Sequence, residues 1–163
     1  MVINRRYFLR RAWKACTAFL GGAAVWTSWE MLKARDVAAG GKITLGNPVD
    51  YKDGTATYVR EGRLWVVNAG GHLRALSQKC PHLGCRVPFC DSSGRFECPC
   101  HGSVFNIGGE YIQGPTPRGM DGYALSVEGD ALVVDTGSVI TGPENSVQNF
   151  DSTAKGPSCA AGG

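Results

Sequence analysis

The sequence has no domain-wide excess of basic charge, no internal repeat and no uncharged run of about 20 residues. Of its 17 basic side chains, five lie in the first 14 positions, which contain no acid, and the rest of the chain carries 12 basic and 14 acidic groups. This distribution argues against a nucleic-acid partner, which would call for a broad basic surface. A length of 163 residues also excludes a large multidomain enzyme.

Glycine and cysteine, by contrast, are abundant, with 23 and seven residues. The glycines are scattered among short β-like segments, which indicates a loop-rich, mainly β protein. We predict strands over 55–60, 63–67, 72–77, 123–128 and 131–135, because apolar and β-branched residues there are bounded by glycine turns. The predicted head covers 47–137, and residues 138–163 are expected to form a tail with little structure of their own.

The N-terminus resembles an export signal. Arg5 and Arg6, followed by two apolar residues and Arg10, resemble the twin-arginine signal of bacteria, and an ordinary positive flank of a membrane segment is the alternative. Residues 1–11 would form this cytoplasmic segment.

A single N-terminal transmembrane helix is predicted over 12–32. Lys14 and Glu30 lie near its ends, where they can reach lipid headgroups, and tryptophans lie near both ends. Because the basic flank precedes the segment, we expect the N-terminus in the cytoplasm of a bacterial inner membrane and the head outside. Residues 33–46 would be a flexible tether, and cleavage at 37–39 as a signal peptide remains open.

The residues that carry chemistry lie in two short boxes. The first box (80–85) reads Cys-Pro-His-Leu-Gly-Cys, and the second box (98–103) reads Cys-Pro-Cys-His-Gly-Ser. Each box offers a cysteine and a histidine to one metal centre: Cys80 with His82, and Cys98 with His101. Two thiolates and two imidazoles suit either zinc or an iron–sulfur cluster.

Each box also contains a second cysteine, Cys85 in the first and Cys100 in the second. A single zinc would leave both without a role. Around a two-iron cluster they occupy symmetrical positions and can link the two loops, and a disulfide is plausible in an oxidising exterior.

The two boxes resemble those of the Rieske iron–sulfur proteins. The resemblance implies a Rieske-type antiparallel β-sandwich with a loop-built cluster-binding part at 79–118. It also implies one [2Fe–2S] cluster per chain, with Cys80 and Cys98 on one iron and His82 and His101 on the other. By the same resemblance, Cys85 and Cys100 form a disulfide.

Within that family, the extra cysteines and the export signal resemble the membrane quinol-oxidising branch. Residues 114–118, Gly-Pro-Thr-Pro-Arg, resemble the proline loop that covers the cluster in cytochrome bc and bf complexes. The resemblance implies an iron–sulfur subunit of a quinol:cytochrome oxidoreductase in the membrane, with a b-type cytochrome subunit as partner. His101, with His82 beside it, would contact quinol, and the electron would pass to a c-type cytochrome or equivalent.

Two further positions bear on the reduction potential. Ser103 matches the family's serine that donates a hydrogen bond to a bridging sulfide. Where high-potential relatives have a tyrosine that donates to a ligand cysteine, this chain has Phe105. We therefore expect a lower potential, matched to a low-potential quinol such as menaquinol.

Two other functions are considered. One is the Rieske small subunit of a periplasmic molybdenum enzyme of the arsenite oxidase type, and the other is a zinc-stabilised binding module without a redox role. Of the remaining cysteines, Cys16 is expected to pack in the helix and Cys90 to be a small buried residue or a free thiol. Cys159 could pair with Cys90 or with another chain, although nothing in the sequence supports either pairing, and the odd count leaves at least one cysteine unpaired or intermolecular.

Overall fold

The computed structural model describes residues 4–32 and 40–159, which belong to two separate units divided after residue 39. The first unit is a single helix, α1 (Arg5–Leu32). Asn4 caps it, because its Oδ1 accepts a hydrogen bond from the backbone N–H of Arg6 at 3.1 Å. None of the residues of α1 is buried, and its tryptophans are exposed.

The predicted transmembrane segment, 12–32, lies within α1. Across residues 4–32 and 40–159, no helix is both long and apolar enough to cross a membrane. Polar groups lower the hydropathy of α1. Thr17 and Thr27 carry hydroxyls, which donate hydrogen bonds to backbone carbonyls one turn earlier, and Lys14 and Glu30 are charged. The predicted helix is present as part of an exposed helix of 28 residues, and its crossing of a membrane is not confirmed.

The second unit consists of short strands in two antiparallel sheets. In the described residues 40–159 there are ten strands: β1 (Lys42–Thr44), β2 (Ala56–Val59), β3 (Leu64–Ala69), β4 (His72–Ser77), β5 (Phe89–Cys90), β6 (Arg95–Glu97), β7 (Val104–Phe105), β8 (Tyr111–Gln113), β9 (Gly122–Glu128) and β10 (Ala131–Ile140). The larger sheet has the order β1-β10-β9-β4-β3-β2, and the smaller one β5-β6-β7-β8. The mainly β prediction is confirmed, and all five predicted strands are present as β2, β3, β4, β9 and β10.

The sheet extends beyond the predicted limits of the head at 47 and 137. β1 pairs with β10, with Ile43 opposite Val134, and β10 continues to Ile140 opposite Gly122. Residues 42–44, assigned to the tether from sequence, are thus held in the sheet by backbone hydrogen bonds.

The larger sheet bends where β4 meets β9, because these strands pair only at Ala75–Tyr123 and Leu76–Gly122. Its two halves, β2-β3-β4 and β1-β10-β9, face each other across an apolar core. The buried members of this core are Val59, Leu64, Val66, Ala75, Leu132 and Val134. Two packed layers of this kind fit the predicted antiparallel sandwich.

Strand β3 is buried on both faces, which explains its continuous apolar run. Successive strand side chains point to opposite faces, so Leu64 and Val66 enter the core of the sandwich while Trp65 and Val67 enter a second core. The second core lies beside the smaller sheet and includes Phe96. The Trp65 indole N–H is satisfied there by the Val87 carbonyl at 3.0 Å. Both candidate ligand cysteines belong to this second core, so the two boxes rest on it.

Candidate metal centre

The two boxes fold into matching turns between strands of the head. In each box the first cysteine donates its N–H to the carbonyl of the last residue, at 2.8 Å in both. The glycine of each box donates its N–H back to the first cysteine's carbonyl, at 2.9 Å from Gly84 and 3.1 Å from Gly102. Both glycines have positive φ, 78° and 72°, which a side chain would disfavour. The boxes are therefore two copies of one local design.

The turns bring the predicted ligands together in two pairs, Cys80 with Cys98 and His82 with His101. Cys80 and Cys98 are buried, with 3% and 2% of their surface exposed. Burial raises the pKa of the Cys80 thiol; hydrogen bonding from the His82 backbone lowers it, while the adjacent Cys98 raises it. The rings of His82 and His101 lie 4.9 Å apart at nearly a right angle, and His101 is exposed. The arrangement has two buried thiols, a half-buried imidazole at His82 and an exposed imidazole at His101.

A disulfide joins the two boxes. Cys85 and Cys100 are bonded, with Cα atoms 6.6 Å apart, as the family resemblance implies. Both sulfurs lie within 4.8 Å of the Cys98 sulfur. By the chain-entropy estimate, closing a loop of this length stabilises the fold by about 3 kcal/mol. The bond also limits how far the two boxes can separate.

Ser103 carries an unsatisfied hydroxyl at the site. Its Oγ is fully buried and makes no hydrogen bond of normal geometry within the described residues. It lies near the Cys80 thiol, and its presence lowers the pKa of that thiol. A buried donor without an acceptor is rare in proteins. Two thiols, two imidazoles and a spare donor fit an iron–sulfur cluster, whose sulfur atoms accept hydrogen bonds.

The proline loop packs directly against the second box. A β-carbon placed on Gly114 would lie 2.5 Å from the Ser103 Cα, so only glycine permits this approach. The loop is closed by the Thr116 hydroxyl, which donates to the Arg118 carbonyl at 2.9 Å. Arg118 in turn binds Asp121 through Nε and Nη2 at 3.0 and 2.8 Å.

Asp121 is itself partly buried, which alone would raise its pKa. The Arg118 guanidinium and the Gly142 N–H outweigh that effect, so the pKa of Asp121 lies below its usual value. The carboxylate is thus held ionised at the base of the proline loop.

Sequence reasoning missed a second disulfide and two buried carboxylates. Cys90 is bonded to Cys159, which corrects the prediction of a free or simply packed Cys90. Cys16 is a free thiol, as the odd count allowed. Glu97 and Glu110 are buried at 5% and 0% exposure, and both bind the C-terminal segment. No sequence pattern marked the Cys90–Cys159 disulfide or the two glutamates.

A mainly antiparallel β unit that presents two Cys–His loops tied by a disulfide defines an iron–sulfur electron carrier. The chain belongs to the Rieske [2Fe-2S] domain family, which matches residues 42–128. Its cofactor is accordingly a Rieske-type [2Fe–2S] cluster.

Similar sequences are found among cytochrome b6-f iron-sulfur subunits. The chain is 36% identical over 103 residues to the cytochrome b6-f complex iron-sulfur subunit of Chlorobaculum thiosulfatiphilum, covering 62% of this chain and 57% of that protein. The subunit of the same name from Prochlorococcus marinus is 35% identical, covering 57% of this chain and 60% of that protein. The match thus spans less than two thirds of these relatives. The cyanobacterial plasma membrane Rieske protein from Synechocystis PCC 6803 is 31% identical with a TM-score of 0.46, covering 57% of this chain and 98% of that one.

Proposed function

We propose that this chain is the electron-transfer subunit of a membrane quinol:cytochrome oxidoreductase of the bc or b6f kind. The observation that carries the proposal is a pair of adjacent imidazoles, one of them exposed, on the same disulfide-linked loops as two buried thiols. The similarity to cytochrome b6-f iron-sulfur subunits supports it.

Cys80 and Cys98 would hold one iron, and His82 and His101 the other. The two thiols lie in the apolar core, where water has little access to them. The imidazoles stand at the rim of the site, so the ring nitrogen of each that does not bind metal is available to a partner molecule. The Ser103 hydroxyl would donate into the site.

When bound, the cluster supplies a one-electron acceptor for quinol and a donor for a c-type cytochrome or equivalent. His101 is the more exposed imidazole and would accept the hydrogen bond and then the proton of the quinol hydroxyl, with His82 beside it. A b-type cytochrome subunit would take the second electron, so that the complex contributes to proton translocation. Phe105, in place of a hydroxyl donor, favours menaquinol.

Placement at the membrane is part of the same proposal. The basic residues in the first turns of α1 and the exposed tryptophans along it favour attachment in contact with lipid and partner subunits, with the N-terminus cytoplasmic and the head outside. Half of the predicted tether, 33–39, lies outside the described residues, and its other half, 40–46, contains strand β1. Motion of the head on this tether would connect the quinol site with the cytochrome.

The test is purification of the tagged full chain from its native membranes in mild detergent. We expect b-haem bands in the reduced-minus-oxidised spectrum and inhibitor-sensitive oxidation of added quinol. Oxidation should be lost in His101→Gln and retained in His72→Gln, because His72 lies in β4 outside both boxes. A coloured protein that brings a molybdenum subunit and no b haem would replace this function with the arsenite oxidase type, and a colourless one would favour a zinc module.

A further inference from the structure

The C-terminal segment 141–159, called the brace below, has no helix or strand but is bound to the head along its length. Its contacts fall into three groups, at the proline loop, at Glu110 and at Glu97. Nothing in the chemistry of the two boxes requires such a segment. Its contacts show what it holds in place.

The first group fixes the base of the proline loop. The Gly119 N–H donates to the Pro143 carbonyl at 2.8 Å, and Asn145 Nδ2 donates to the Thr116 carbonyl at 3.2 Å. The Gly142 N–H donates to the Asp121 carboxylate at 2.9 Å. The brace therefore bonds both to the proline loop and to the ion pair that anchors it.

The second group centres on Glu110, which forms no ion pair with a basic side chain in the described residues. Its carboxylate accepts hydrogen bonds from the backbone N–H groups of Asn149 and Phe150, at 2.9 and 3.0 Å. It also accepts from Asn149 Nδ2 at 3.0 Å and from Asn106 Nδ2 at 2.8 Å. The Phe150 ring lies under the Arg74 guanidinium, 4.7 Å away. Four donors on one buried carboxylate hold the middle of the brace in one position.

The third group of contacts is made to the residue that directly precedes the second box. Glu97 directly precedes Cys98, and its carboxylate accepts from the Ser158 hydroxyl at 2.7 Å and the Cys159 N–H at 2.9 Å. The Cys90–Cys159 disulfide closes the same end of the brace. The last part of the brace is thus fixed covalently beside the residue that precedes a predicted ligand.

We propose that residues 141–159 are a positioning element that fixes the proline loop and the second box around the metal centre, and that Cys90–Cys159 locks it. Gly114 packs on Ser103, so movement of the proline loop is transmitted to the second box. The proposal rests on the proposed ligand role of Cys98 but not on quinol or on any partner subunit.

The test compares amide hydrogen exchange of the full chain in three variants. In Asn145→Ala the bond to the Thr116 carbonyl is lost; in Cys90→Ser/Cys159→Ser the lock is removed. Ser146→Ala is the matched control, because Ser146 is an exposed neighbour on the brace. We expect exchange in 114–120 to rise about tenfold in the first two variants, equivalent to about 1.4 kcal/mol. Amide exchange in strands β3 and β4 should not change in these variants, and the control variant should show no change in exchange.

The reduction potential is the second readout, since a merely structural tail would not alter it. Loosening of the loop should admit water, which stabilises the more negative reduced centre, and raise the potential in the first two variants. Faster exchange confined to 146–159, with an unchanged potential, would overturn the proposal. If the double cysteine variant does not accumulate, Asn145→Ala decides alone. No quinol is present, so loss of the proposed quinol chemistry would leave these results unaffected.

Discussion

Phe105→Tyr tests how the site sets its reduction potential. Phe105 is fully buried in the same core as Cys80 and Cys98, so an added hydroxyl would be withdrawn from water, and the family resemblance implies that it would donate to a ligand cysteine. A hydrogen bond to a charged acceptor contributes about 1.5–3 kcal/mol. The bond is stronger in the reduced, more negative state, so it stabilises that state and raises the potential. For a one-electron couple, a tenfold change in the equilibrium constant corresponds to about 59 mV. We therefore expect the potential to rise on the order of 50–100 mV.

The assay is a redox titration of the full chain, followed by its EPR signal, beside a measurement of unfolding. Phe96→Tyr is the matched control: Phe96 is equally buried and lies opposite Phe105 in the β6–β7 pair, but it packs between Trp65 and Phe89. It should lose stability without a rise in potential. An unchanged potential in Phe105→Tyr, with a loss of stability like that of the control, would refute the reasoning.

Three other predictions concern stability, each measured by unfolding of the full chain. Glu110→Ala leaves four donors without their acceptor and should lower the free energy of unfolding by about 3 kcal/mol or more. Glu110→Gln keeps an acceptor oxygen and should lower it less; equal losses would contradict this account. The lowered pKa of Asp121 means that its pairing with Arg118 stabilises the fold above the unfolded-state pKa of about 3.9, and this stability is lost as the pH falls through the lower folded value. Asp121→Asn should remove that part of the acid dependence, and an unaltered profile would exclude it. Cys85→Ser/Cys100→Ser should cost about 3 kcal/mol, and an unchanged unfolding midpoint would show that the disulfide adds nothing.

The strands of the sandwich could be predicted because their side-chain pattern is local. β3 and β4 are short, largely apolar runs on either side of a glycine turn at Gly70-Gly71, and both glycines have the positive φ that the turn needs. The short strands β5 to β8 could not be found in this way. Each has only two or three residues, and each exists because a neighbouring strand supplies its hydrogen bonds.

The candidate site was accessible from sequence because its residues lie in two compact boxes with recognisable spacing. The brace was not, because its partners are distant along the chain: Glu110 binds residue 149, and Cys90 binds Cys159. Disulfide connectivity does not follow from cysteine positions alone. A helix over 12–32 could be predicted from its long, weakly charged sequence, but the polar and small residues within it lower its hydropathy, and a membrane span is not confirmed.

Pulsed EPR of the reduced full chain, labelled with ¹⁵N-histidine, tests the central claim most directly. The account predicts two coordinating histidine nitrogens on a [2Fe–2S] centre, one lost in His82→Cys and one in His101→Cys, with His72→Gln unchanged. A centre without histidine coupling, or one whose coupling survives both box variants, would contradict the assignment of His82 and His101 as ligands.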